Sequence, residues 1–112
     1  MTANMRITHL ALFALATVTA TGCSRDRAEL ERDYVDACIM RGEYNQLVCE
    51  CVASLAGDEL SPRSFELLVT TLEGDETQAA HLRDRAGLVE VMAAGTFAVD
   101  GPARCLREID DR

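Results

Sequence analysis

The sequence contains no lysine and no tryptophan, and only 4% of its residues are aromatic. Without lysine, the chain offers no amine for Schiff-base chemistry or for a lysine general base. Its 11 basic residues are all arginines and stand against 19 acidic ones, which gives a formal net charge of -8. An acidic chain without a basic run argues against nucleic-acid binding and against electrostatic adhesion to anionic lipid.

Catalytic motifs are missing as well. His81 is the only histidine after residue 22, and its position beside Leu82 and Arg83 on a predicted helix is typical of a surface residue. No serine follows the nucleophile-elbow pattern, and no glycine-rich phosphate loop occurs. The carboxylates lie at predicted helix ends, where they complement the helix dipole. The sequence therefore predicts a protein that is not an enzyme, with no catalytic residue, no cofactor and no metal site.

An apolar run over Leu10–Ala20 is followed by an abruptly charged segment, SRDRAELERD. The run is shorter than the roughly 20 apolar residues that a membrane-spanning helix needs. Arg6 supplies a positive charge before it, small residues follow it, and no acidic residue precedes the charged segment. This order is typical of a secretory signal peptide, which we predict over residues 1–22, starting at Met1 or Met5.

Two cleavage sites fit this segment. The small residues of VTA, at positions 18–20, suit an ordinary signal peptidase that cleaves before Thr21. The residues ATGC at 20–23 instead resemble the lipobox of bacterial lipoproteins, although alanine stands where leucine is usual. That resemblance implies a diacylglyceryl group on the sulfur of Cys23, which cleavage leaves as the first residue. By the same resemblance, Ser24 favours the outer membrane over the inner one.

The number of cysteines supports lipidation. Five is an odd count, which in an oxidising compartment leaves one thiol over. A lipid on Cys23 leaves four cysteines, enough for two disulfide bonds: Cys38, Cys49, Cys51 and Cys105. Structural disulfides are the usual state of cysteines in small exported domains, and they stabilise a core with so few aromatic residues. We therefore predict Cys23 as the lipid attachment site and the other four as disulfide-bonded.

Helical patterns dominate the rest of the chain, and no strand pattern competes with them. We predict a lipid-anchored linker over residues 23–28 and an all-α domain over 29–112, a small bundle of four or five short helices. The first helix carries Leu30, Tyr34 and Cys38 on one face. Polar caps and glycines delimit the first three helices: an end at Gly42, then Asn45 to Gly57, then Ser61-Pro62 to Gly74.

Beyond Gly74 the predicted boundaries depend on glycines within apolar stretches. Asp75 caps a fourth helix, and we expect a bend or break near Gly87 or Gly95. One stripe of that helix holds Ala79, Leu82, Ala86, Val89 and Ala93. Gly101-Pro102 opens a short last helix that contains Cys105, Leu106 and Ile109.

The CEC motif at residues 49–51 limits the possible cysteine pairings. On a helix, Cys49 and Cys51 point about 200° apart, which disfavours a bond between them. Cys38 and Cys49 lie equally far from the tip of a helical hairpin, and this resembles the cysteine-stapled hairpins of small envelope and intermembrane-space proteins. The hairpin register favours Cys38–Cys49 with Cys51–Cys105, and Cys38–Cys51 with Cys49–Cys105 is the close alternative.

Two functions remain open at this point. The first is a non-enzymatic, membrane-anchored envelope lipoprotein that acts through contacts with an envelope protein of unknown identity, an inhibitor or immunity protein being one form of it. The second is a thiol-redox or metal-handling periplasmic protein that uses Cys49 and Cys51. Neither function involves nucleic acid.

Overall fold

Four polar residues cap the first four helices, each accepting a hydrogen bond from the amide three residues further on: Asp26, Asn45, Ser61 and Asp75. The structure is a computed structural model that describes residues 24–111. Gly42 and Gly74 end their helices with φ of 72° and 80°, the left-handed conformation that glycine adopts without strain. The predicted caps at Asn45, Ser61 and Asp75 and both glycine ends are confirmed.

The described residues form five helices and no strand, which confirms the predicted all-α class. The helices are α1 (Arg27–Arg41), α2 (Gln46–Glu59), α3 (Pro62–Glu73), α4 (Glu76–Arg85) and α5 (Leu88–Asp110). The signal peptide predicted over 1–22 and the lipid attachment at Cys23 lie outside the described residues. α1 begins inside the segment 23–28 that we expected to be a linker.

The boundaries predicted at Gly57 and near Gly87 or Gly95 have different outcomes. The break at Gly87 is confirmed, because this residue caps α5, whereas Gly95 lies inside that helix. Gly57 does not end α2, which continues to Glu59. A Cβ atom at Gly57 would come within 2.6 Å of Arg27 Nε, so this glycine marks a close approach between α1 and α2.

The short last helix predicted to begin at Gly101-Pro102 is wrong. α5 runs unbroken through both residues, although Pro102 has no amide to donate to the preceding turn. Contacts on both sides of the proline hold the helix in place, because Phe97 and Cys105 are buried in the core. The break at Gly87 also resets the helical phase, so Val89 does not continue the buried stripe of α4 and is instead exposed.

The core is built around α3, which contacts α1, α4 and α5 and is buried over seven consecutive residues from Ser64 to Thr70. α1 and α2 form the predicted hairpin, and α2 also packs on α5. Ala53 and Ala56 are buried in α2, where their small side chains let neighbouring helices approach closely. A second, smaller cluster joins Leu67, Ala79 and Ala94 beneath α4.

Candidate functional site

Both disulfide bonds predicted from the hairpin register are present. Cys38 is bonded to Cys49 with a Cα–Cα distance of 5.8 Å, and Cys51 to Cys105 with 6.0 Å. Cys49 and Cys105 have no exposed surface. Within residues 24–111, no group of three or more histidine, cysteine or acidic side chains is placed to hold a metal ion. In this structure the CEC motif therefore staples two different helix pairs.

Two further residues with titratable side chains, His81 and Tyr34, lie in opposite environments. His81 lies exposed on α4, as a surface residue would. Tyr34 is buried on the core face of α1, and burial, with a smaller contribution from Tyr44, raises its pKa to about 12. Its phenol is therefore neutral at physiological pH.

The densest polar cluster surrounds Arg25, two residues after Cys23. Its Nη1 atom donates hydrogen bonds of 2.9 Å to Asp33 of α1 and to Glu73 of α3. Nη2 donates to Thr70 Oγ1 at 2.9 Å, and the Arg25 backbone amide donates to Glu66 at 3.3 Å. We call these five residues the Arg25 clamp. The clamp fixes the first described residues onto two helices.

The electrostatics of the clamp depend on a buried carboxylate. Glu66 is only 6% exposed, and a buried carboxylate costs free energy unless hydrogen bonds and a cation compensate it. Arg25 supplies both, through its amide and through Nε, which lies 3.8 Å from Glu66 Oε1. Desolvation alone would lower the pKa of Arg25, but its bonds to Asp33 and Glu73 raise it. The guanidinium therefore stays charged.

Sequence reasoning missed this clamp. It assigned Arg25 to the linker over residues 23–28, between the anchor and the first predicted helix. Two of its partners, Glu66 and Glu73, are 41 and 48 residues further along the chain. Glu66 and Glu73 are seven residues apart and therefore lie on one face of α3. This spacing is the only local signal that could have suggested a shared partner.

A groove of about 260 Å³ opens next to the clamp at the N-terminal end of α3. Ser24, Pro62, Gln78 and Leu82 line it together with two arginines, Arg63 and Arg85, and with Glu66, the carboxylate that Arg25 neutralises. Arg63 Nη1 donates to the backbone carbonyl of Arg85 at 3.3 Å, which holds the end of α4 beside the start of α3. The groove therefore joins the residue that follows Cys23 to a pair of arginines.

A second surface lies on α1, where Asp36 and Met40 stand one turn apart and line the same groove. Met40 is 86% exposed, although methionine is apolar. Asp36 also lines a neighbouring groove between α1 and α2, with Glu31 and Glu50. We call Asp36 and Met40 of α1, with Glu50 of the adjoining α2, the α1 face. Arg32 and Arg41 also line these grooves, but acidic side chains outnumber them around the exposed Met40.

No protein family, curated protein or solved structure matches this chain. Among residues 24–111, none of the helices combines the length and the apolar content of a transmembrane helix.

Proposed function

We propose that this protein is a non-enzymatic lipoprotein of the bacterial cell envelope, anchored on the periplasmic side through a lipid on Cys23 and acting through contacts with another envelope protein. The outer membrane is the expected location, on the basis of Ser24. The observation that carries the proposal is the Arg25 clamp, because it binds the chain immediately after the cysteine that resembles a lipobox cysteine.

The clamp fixes the distance between a lipid on Cys23 and the helical domain. Only Ser24 separates Cys23 from Arg25, a reach of roughly 7 Å. An acyl group on Cys23 would therefore hold the helical domain directly at the membrane surface. A domain kept at a fixed distance from the bilayer presents the same face to every envelope partner that it meets.

The α1 face supports contact with a protein partner. Met40 lies seven residues, roughly 10 Å, beyond Asp33 of the clamp on α1, and its groove is also lined by the clamp residues Asp33 and Glu73. An exposed apolar side chain within charged surroundings is a common centre of a protein interface, and complementary charge accelerates association. The expected partner has a basic surface, and an inhibited hydrolase or a neutralised toxin would be of this kind.

The alternative function, a thiol-redox or metal-handling protein, needs Cys49 and Cys51 as accessible thiols. The bonding of each to a different cysteine and the complete burial of Cys49 favour the structural role. Alkylation of the native protein distinguishes the two functions, since free Cys49 and Cys51 would support the alternative.

The anchor is tested by acyl labelling of cells that express the natural chain or the Cys23→Ser variant. We expect the natural protein to take up label and to begin at Cys23 by mass spectrometry, and the variant to lose both label and processing. A mature chain that begins at Thr21 without lipid would contradict the proposal.

The partner is tested by co-purification from envelope extracts in a mild detergent. We expect a stoichiometric protein that is lost with Asp36→Arg and retained with Asp84→Arg, a control that reverses an exposed charge on α4. Loss with both variants, or no stoichiometric protein from the natural chain, would contradict a role for the α1 face.

A further inference from the structure

The first turn and a half of α5 exposes three large apolar side chains. Leu88 is 75% exposed, Val89 80% and Met92 60%. Single exposed apolar residues are normal on a protein surface, but a contiguous group marks a binding surface. We call these three residues the α5 apolar patch.

The α5 apolar patch lies at the anchored end of the molecule. Ser64 Oγ donates to the backbone carbonyl of Glu90 at 2.9 Å, which fixes the first turn of α5 to the first turn of α3. Arg85 is three residues before Leu88, so their Cα atoms are at most about 11 Å apart. Arg85 lines the groove that also contains Ser24, and the chain outside the structure ends at this groove.

Two positive charges stand between the patch and the anchor. Arg63 and Arg85 are exposed and are joined by the hydrogen bond from Arg63 to the Arg85 carbonyl. The net charge of -8 argued against adhesion to anionic lipid, yet it is an average over the whole chain. The fold brings these arginines, 22 residues apart in sequence, to the place where a lipid on Cys23 would meet the membrane.

We propose that the α5 apolar patch and the Arg63–Arg85 pair form a second contact with the membrane, to the surface of an anionic phospholipid bilayer. Leu88, Val89 and Met92 enter the boundary between headgroups and acyl chains, as the apolar face of an interfacial helix does. The two guanidinium groups bind lipid phosphates above them. This inference deepens the proposed function, since it assumes that the anchor brings this end to the bilayer.

A bilayer fits this surface better than a second copy of the chain. Two copies joined through the patch would bring the four guanidinium groups of their Arg63–Arg85 pairs close to one another. A bilayer of anionic lipid supplies the opposite charge, and an anchor at Cys23 already places it there. The same residues thus favour lipid on grounds of both charge and position.

Because the natural chain has no tryptophan, the fluorescence of one introduced tryptophan reports the contact between the α5 apolar patch and the bilayer. Leu88→Trp places one tryptophan in the patch, and Met40→Trp places one on α1, at a site of similar exposure in the α1–α2 hairpin. Each full-length processed protein is reconstituted into vesicles of phosphatidylcholine, with or without phosphatidylglycerol, that carry nitroxide-labelled lipid. Flotation with the neutral vesicles reports the anchor, and nitroxide quenching of the tryptophan on anionic vesicles reports the contact.

On anionic vesicles we expect the Leu88→Trp variant to shift its emission to shorter wavelength and to lose most of its intensity to the nitroxide, while the Met40→Trp variant does neither. Adding Arg63→Gln and Arg85→Gln to Leu88→Trp should reduce the quenching to the level on neutral vesicles. A protein that floats while both tryptophans stay unquenched overturns this inference and leaves the anchor standing.

Two further outcomes are decisive. A blue-shifted but unquenched tryptophan in the Leu88→Trp variant would mean that protein covers the patch, and would replace the bilayer by a second copy. A protein that does not float with neutral vesicles contradicts the anchor, and quenching after addition to an excess of anionic vesicles then still decides whether the patch binds lipid.

Discussion

Gly101 lies against the ring of Phe97, one turn earlier in α5: a methyl group on Gly101 would come within 2.8 Å of Phe97 Cε1 and Cζ. The ring is only 5% exposed and belongs to the core cluster, so it has little room to move away. A glycine inside a helix normally reduces stability relative to alanine. At position 101, this loss is offset by the space that the glycine leaves for a buried aromatic ring.

Gly101→Ala should therefore lower the free energy of unfolding by about 1–3 kcal/mol, the usual cost of overfilling a packed core. Gly95→Ala is the matched control in the same helix, because a Cβ atom there meets nothing within 4 Å. It should raise stability by up to about 1 kcal/mol through helix propensity. Urea unfolding of both variants checks the opposite signs, and a stabilising Gly101→Ala would contradict the packing.

Arg25→Ala should destabilise the protein by about 1–3 kcal/mol, because it leaves the buried carboxylate of Glu66 without its cation. Arg27→Ala is the control: Arg27 also pairs with two carboxylates, but its side chain is half exposed. Solvent screens such pairs, so the change should be small. Urea unfolding at low and high salt compares the two, and equal losses would show that the clamp is an ordinary surface pair.

Removal of either disulfide bond should lower stability, and removal of the longer loop should cost more. Cys51 and Cys105 are 54 residues apart, and Cys38 and Cys49 are 11 apart. Chain entropy assigns about 4 kcal/mol to the long loop and about 3 kcal/mol to the short one. Alanine pairs at each bond, followed by urea unfolding, test the order. The loops share no residue, so the two effects should add unless the pairs are coupled through α2.

Alkaline pH should destabilise the natural protein through Tyr34. Its pKa is raised by burial to about 12, above the value of 10 in the unfolded chain. Because the folded-state pKa is the higher one, the contribution of the neutral Tyr34 phenol to the free energy of unfolding is complete below pH 10. It is lost as the pH rises towards 12. The loss amounts to roughly 3 kcal/mol. The stability difference between the natural protein and Tyr34→Phe should therefore be constant from pH 7 to about pH 9 and change above pH 10, and a pH-independent difference would place Tyr34 in contact with water.

Most features that sequence predicted correctly are local, and the Cys51–Cys105 bond, which joins residues 54 apart, is the exception. Caps such as Asn45 and Asp75 bond an amide three residues away, and a glycine such as Gly42 ends its helix through its own backbone conformation. The pairing of Cys38 with Cys49 follows from the symmetry of a hairpin with a short turn. These interactions need no knowledge of the rest of the fold.

The features that sequence missed depend on residues far apart in the chain. Gly57 and Gly101 have the same sequence signature as helix ends, but each accommodates a side chain that crosses it, from Arg27 and Phe97. Arg25 was predicted as a linker residue, and only the fold places it beside Glu66 of α3. A pattern within a window of a few residues cannot distinguish a glycine that ends a helix from one that allows a close approach.

In chain order from Cys38, the first cysteine is bonded to the second and the third to the fourth. A chain oxidised as it emerges amino end first can therefore form both native bonds in the order in which its thiols appear, with no isomerase to reshuffle them. A free thiol at Cys23 would stand before Cys38 in this order and would compete for it. A lipid on that sulfur would protect the order of oxidation as well as anchor the protein.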